Sequence, residues 1–81
     1  MGKPIDVLRD GPIKAAIWRN EARSVFYTVS IARSYRDRNG DWKERASFTQ
    51  EEVPRVVTLL QEAESRMREY SGLGVADSGR T

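Results

Sequence analysis

The sequence predicts an α+β domain: a three- to four-stranded antiparallel sheet followed by one long C-terminal helix (ββββα), associating as a homodimer. Three observations predict it. Apolar residues alternate with period two through the first half, an Asn-Gly pair interrupts that run, and helical spacing takes over after Phe48. Of 81 residues, 1–70 read as one domain and 71–81, with three glycines and no periodicity, as a disordered tail. A chain this short is near the lower limit for a self-sufficient core.

The first candidate strand is "IDVL", residues 5–8, closed by "DGP". Next, "PIKAAIW" sets Ile13, Ala15 and Ile17 on one side and Lys14, Ala16 and Trp18 on the other. The polar "RNEARS", residues 19–24, reads as a hairpin loop. In "VFYTVSIARSYR" the odd positions Val25, Tyr27, Val29 and Ile31 oppose Phe26, Thr28, Ser30, Ala32 and Ser34. Asn39-Gly40 then suits a two-residue type I′ turn, in which both central residues take positive φ. That turn pairs Arg38 with Asp41, Tyr35 with Glu44, Arg33 with Ala46 and Ile31 with Phe48. Ala46 and Phe48 would join the odd face, and Lys43, Arg45 and Ser47 the even one.

From Phe48 onward, apolar residues at 53, 56, 57, 60, 63 and 67 mark a helix. Thr49 and Glu52 have capping-box spacing. Pro54 would then sit at the fifth helical position, so either the opening turn is irregular or the helix proper begins at Pro54. This helix should cover the odd face: Ile13, Ala15, Ile17, Val25, Tyr27, Val29, Ile31, Ala46 and Phe48. Its own apolar surface, widened by Leu59, exceeds one stripe. Val56, Leu59, Leu60, Ala63 and Met67 are therefore the expected dimer contacts.

Charge is unevenly placed. Ten Lys/Arg against six Asp/Glu up to Phe48 leave +4, whereas three against five from Thr49 to Tyr70 leave −2. A polyanion would be received by the first half. Without histidine the usual general base and the commonest metal ligand are missing, and without cysteine so are disulfides and thiolate sites. No enzymatic activity, cofactor or metal is expected. Asp37, Asp41 and Glu44 could hold magnesium, but carboxylates interleaved with arginine more often form ion pairs. No apolar run suits a signal peptide or a membrane span, so a soluble, cytoplasmic protein is expected.

The even face would be left bare by the single helix, and it carries Lys14, Trp18, Phe26, Arg36, Lys43 and Arg45, with small residues between them. Arg19 beside Trp18 completes the candidate site together with Tyr35, which lies with Trp42 on the odd face near the hairpin tip, where the two rings could clamp a ligand or cap the core equally well. Exposed rings can stack bases while Lys and Arg neutralise phosphates. The expected function is sequence-tolerant binding of single-stranded DNA or RNA, and the alternative is a protein-interaction module using the sheet face or edge. Trp18 and Phe26, if paired across the first loop, could equally pack on each other. The expectation requires Trp18 and Arg45 on the same side.

The stretch "TVSIARSYRDRNGDWKERASFTQEEV" is an alternating strand ending in an aromatic, a glycine turn, a basic return strand and a polar link into the helix. It resembles the transcriptional coactivator family known as positive cofactor four, a whirly-type single-stranded DNA-binding family with bacterial and phage relatives. The likeness runs from about Ile5 to Met67. It implies a dimer formed through helices and strand ends, binding single strands across its sheets in transcription, replication or repair. By position, Trp18 resembles the family's stacking aromatic, Tyr35 the aromatic closing the third strand, and Lys43 and Arg45 the basic positions of the fourth. Ala32 where an arginine is expected, a longer loop at 19–24, and Pro54 depart from the pattern.

Overall fold

Alternation and turn chemistry produce a four-stranded antiparallel meander with one helix laid across it. The computed structural model describes residues 2–72, and the expectation for residues 73–81 lies outside them. The strands are β1 (Asp6–Asp10), β2 (Ile13–Glu21), β3 (Val25–Arg36) and β4 (Trp42–Arg45), hydrogen-bonded in the order β1-β2-β3-β4, and α1 spans Val53–Gly72. Ser71 and Gly72 thus belong to the helix and not to the tail.

The first hairpin closes on Asp10 opposite Ile13, and Gly11 has φ 62°. A two-residue type II′ turn needs that conformation at its first central position, where glycine carries no steric penalty. The segment 5–8 is therefore a strand, extended to Asp10. Between β2 and β3 only residues 22–24 form the connection, not 19–24. Arg19, Asn20 and Glu21 continue the ladder: the Asn20 amide donates to Thr28 Oγ1 at 3.1 Å, and Arg19 lies 2.7 Å from Glu21. Trp18 consequently pairs with Thr28, while Phe26 pairs with Asn20. The two rings are diagonal neighbours on one face and not a direct pair.

The β3–β4 hairpin departs from the expected register by one residue. Tyr35 pairs with Lys43, Arg33 with Arg45 and Arg36 with Trp42. The cause is Asp37. One of its carboxylate oxygens accepts the backbone N–H groups of Asn39 (2.9 Å) and Asp41 (3.0 Å), and its carbonyl accepts from Gly40 (3.0 Å). This Asx-type closure makes a three-residue loop, 38–40, in which Gly40 alone takes positive φ, at 82°. Asn39 is not in the type I′ conformation. One extra loop residue inverts the faces of β4.

The helix side of the sheet carries Leu8, Ile13, Ala15 and Ile17, which are buried together with Leu59 and Ala63 of α1. Tyr27, Val29, Ile31, Phe48, Val56 and Met67 close around them. Ala63, fully buried, lets the helix approach the sheet over β2. Val25, at the far end of β3 beside the 22–24 connection, and Ala46, just past the end of β4, were expected beneath the helix and are exposed, and α1 contacts β1, β2 and β3 but not β4. At the helix start the opening turn is indeed separate. Thr49 N–H donates to Glu52 Oε1 at 2.9 Å, Glu52 and Val53 donate back to the Thr49 carbonyl, and α1 begins at Val53. Pro54 then lies in the first turn, where its missing N–H leaves nothing unpaired.

Candidate nucleic-acid interface

Two-residue periodicity and the observed register place fourteen side chains on the face away from α1. From β1 come Val7 and Arg9; from β2, Lys14, Ala16, Trp18 and Asn20; from β3, Phe26, Thr28, Ser30, Ala32, Ser34 and Arg36; from β4, Trp42 and Glu44. This face is uncovered among the described residues. Phe26 is 47% and Trp42 67% exposed, more apolar surface than simple solvation of a sheet calls for.

Local bonds hold the rings. The Trp18 indole N–H donates to Ser30 Oγ at 3.0 Å, which directs the ring from β2 toward β3 and occupies its one donor. The Arg36 guanidinium lies over the Trp42 ring, 5.2 Å from its centroid, so this cross-strand pair braces the second indole. Lys14 Nζ is 2.6 Å from Glu44 Oε2, spanning β2 to β4 across the small side chains of β3.

Three shallow hollows join along this face. The middle one, about 340 Å³, is floored by Ala16 and Ala32 and walled by Val7, Arg9, Lys14, Trp18, Ser30 and Glu44. Toward the hairpin tips it continues, through Arg9 and Glu44, into a hollow of about 730 Å³ bordered by Ser34 and Trp42. At the other end Trp18 is shared with a hollow of about 330 Å³ formed with Lys3, Arg19 and Asn20. The result is a channel with an indole near each end and cations between them.

The inverted register redistributes the expected site. Lys14, Trp18, Phe26 and Arg36 do share the uncovered face. Lys43 and Arg45 do not: they lie on the helix side, beyond the reach of α1, so Trp18 and Arg45 are on opposite sides of the sheet and the expected site, which required them together, is not formed. Arg45 lies 5.9 Å from the Tyr35 ring centroid and 3.9 Å from Glu52, and Lys43 is 3.8 Å from Asp37 while also bordering the tip hollow at the sheet edge. Tyr35 is on the helix side, as expected. Arg19 also belongs to that side, and the bond to Glu21 raises its pKa further above an already permanent charge. Arg33 and Glu52 form a tight ion pair that ties β3 to the helix entry. The Glu52 carboxyl is held below its ordinary value, first by the Thr49 backbone N–H and then by Arg33 and Arg45.

Arg9 and Lys3 were missed, and Trp42, expected on the helix side, lies on the uncovered face. Arg9 was accessible from sequence, because a two-residue Gly11-Pro12 turn sets it opposite Lys14. Trp42 needed the correct loop length, and Lys3 lies outside any periodic segment. Among the proposed dimer contacts, Leu59 (5% exposed) and Ala63 (0%) are core residues of this subunit, and Val56 is packed against that core. Leu60 and Met67, with Val29 and Val57, instead line an apolar groove of about 480 Å³ beside the helix.

The described residues include no cluster of His, Cys, Asp and Glu able to hold a metal ion, and no helix long and apolar enough to cross a membrane. No family model, curated protein or solved structure matches the chain.

Proposed function

We propose that this protein binds single-stranded nucleic acid along the channel of its uncovered sheet face, through stacking more than through charge. The observation that supports this reading is the channel itself: Trp18 and Trp42 near its ends, Lys3, Arg9 and Lys14 along it, and small side chains on its floor. Flat floors and exposed rings suit splayed bases, and a 20-residue helix laid on the opposite face offers nothing to a major groove. The corrected register removes two cations from this face and adds one indole, so stacking carries the larger share.

Titration with oligo-dT at two salt concentrations tests the reading. Tryptophan fluorescence should quench, and Trp18→Ala and Trp42→Ala should each weaken binding by about 5- to 160-fold, the range of one base stack at roughly 1–3 kcal/mol. With Lys3, Arg9, Lys14 and Arg36 as the phosphate contacts, the slope of log affinity against log salt should be no steeper than about −3. Unchanged fluorescence overturns the proposal in favour of a protein partner on this face, and equal affinity for duplex and single strand overturns its single-strand specificity.

A homodimer belongs to the same reading. The groove of Val29, Val57, Leu60 and Met67 is the apolar surface that a second copy would cover, and a core this small gains from the added burial.

A further inference from the structure

The channel is not chemically uniform, and its middle hollow contains the one carboxylate that the described strands place on the uncovered face. Glu44 Oε2 is held by Lys14 Nζ at 2.6 Å, while the side chain keeps about half of its surface exposed. Arg9 borders the same hollow, and the floor is two alanines, so a planar ring can settle against the sheet beside the tethered Trp18 indole. At about 340 Å³ the space is in the range of a small-ligand site.

We propose that this hollow is a base pocket that prefers guanine and disfavours thymine and uracil. The inference rests on the proposed single-strand binding and specifies its ligand. A carboxylate can only accept hydrogen bonds. On its Watson–Crick edge guanine offers adjacent ring N–H and amino donors, which match the two oxygens of Glu44. Its O6 is an acceptor, the group that lysine and arginine recognise in guanine, and Lys14 and Arg9 stand beside the carboxylate to meet it. Thymine and uracil present a single N–H flanked by two carbonyl oxygens, which the Glu44 carboxylate repels. Adenine and cytosine each offer an amino group next to an acceptor and fall between. The existing Lys14–Glu44 pair is thus a donor and an acceptor already set side by side, with both charges compensated until a base bridges them.

The test compares a dT oligonucleotide with the same oligonucleotide carrying one central dG, on the wild-type chain and on Glu44→Gln. Glu44 is exposed, so the substitution should leave the fold intact, which a circular dichroism melt checks. One guanine should strengthen wild-type binding about tenfold, at the lower end of what a bidentate base contact supplies. Glu44→Gln should abolish that gain and should bind all-dT more tightly than wild type, because a negative charge has left the channel and Lys14 is released from it. Equal wild-type affinity for the two oligonucleotides overturns the pocket, as does a guanine preference that survives in Glu44→Gln, and either result leaves the stacking channel standing. Failure of both oligonucleotides to bind removes the channel and the pocket together.

Discussion

A single carboxylate sets the geometry of the candidate site. Asp37 captures the N–H groups of Asn39 and Asp41, and through them decides whether the hairpin loop holds two residues or three. Asp37→Ala should cost about 1–2 kcal/mol of stability, from two hydrogen bonds to a charged acceptor, offset by rehydration of the exposed amides. With the Asx closure removed, the sequence Asn39-Gly40 is free to form its preferred type I′ turn. Urea unfolding together with β4 amide chemical shifts checks both effects. Unaltered shifts and stability would show that the loop length has another origin. Side chains moved to the helix side supply a control at the same scale. Lys43→Ala and Arg45→Ala should each weaken oligo-dT binding less than Arg9→Ala or Lys14→Ala.

At the scale of elements, helix α1 separates its apolar residues by function. Leu59 and Ala63 face β2 and are buried, whereas Val57, at 47% exposure, and Leu60 line the outer groove. Neighbouring residues should therefore respond differently. Leu59→Ala should lower unfolding free energy by about 2–5 kcal/mol, the usual cost of a truncated buried leucine. Leu60→Glu should leave the fold in place and shift the sedimentation coefficient from dimer to monomer. A wild-type chain that sediments as a monomer at all accessible concentrations removes the dimer.

Across the whole molecule, the first strand and the end of the helix are joined through one carboxylate. Asp6 Oδ2 accepts from Arg66 Nη1 and from the Tyr70 hydroxyl, each at 2.7 Å, over 60 and 64 residues of chain. The Asp6 carboxyl is consequently held below its ordinary value, first by the Arg66 bond and then by Tyr70. Its contribution to stability is fully present above the unfolded carboxylate value, about 4, and is lost as pH falls through the lower folded value. Donation to Asp6 likewise pushes the Tyr70 hydroxyl up. That contribution is intact below about pH 10 and disappears as pH rises through the folded value. Asp6→Asn should lower the urea midpoint at pH 7 and flatten part of the acid limb, leaving the share that belongs to Glu52. Identical midpoints at pH 7 would mean that the tie adds nothing.

Legible in the sequence were a sheet followed by one helix, with the segment at 5–8 left open between three and four strands, the strand β3 to the residue, and the division of β2 and β3 into a buried and a bare face. Period-two and helical spacing are local properties, and Gly11 and the Thr49–Glu52 box mark their ends. Which face β4 presents was decided elsewhere. Alternation fixes faces within a strand, but the relation between two strands depends on the parity of the loop joining them, and that parity turned on a side chain competing for backbone N–H groups. The same holds for the helix, whose wide apolar surface offered several seatings on the sheet. Only the packing of fully buried Ala63 over β2 selected one, turning Leu59 inward and leaving Leu60 at the groove. Lys43 and Arg45 thereby exchanged places with Trp42 and Glu44, and the chemistry available to a ligand changed with them.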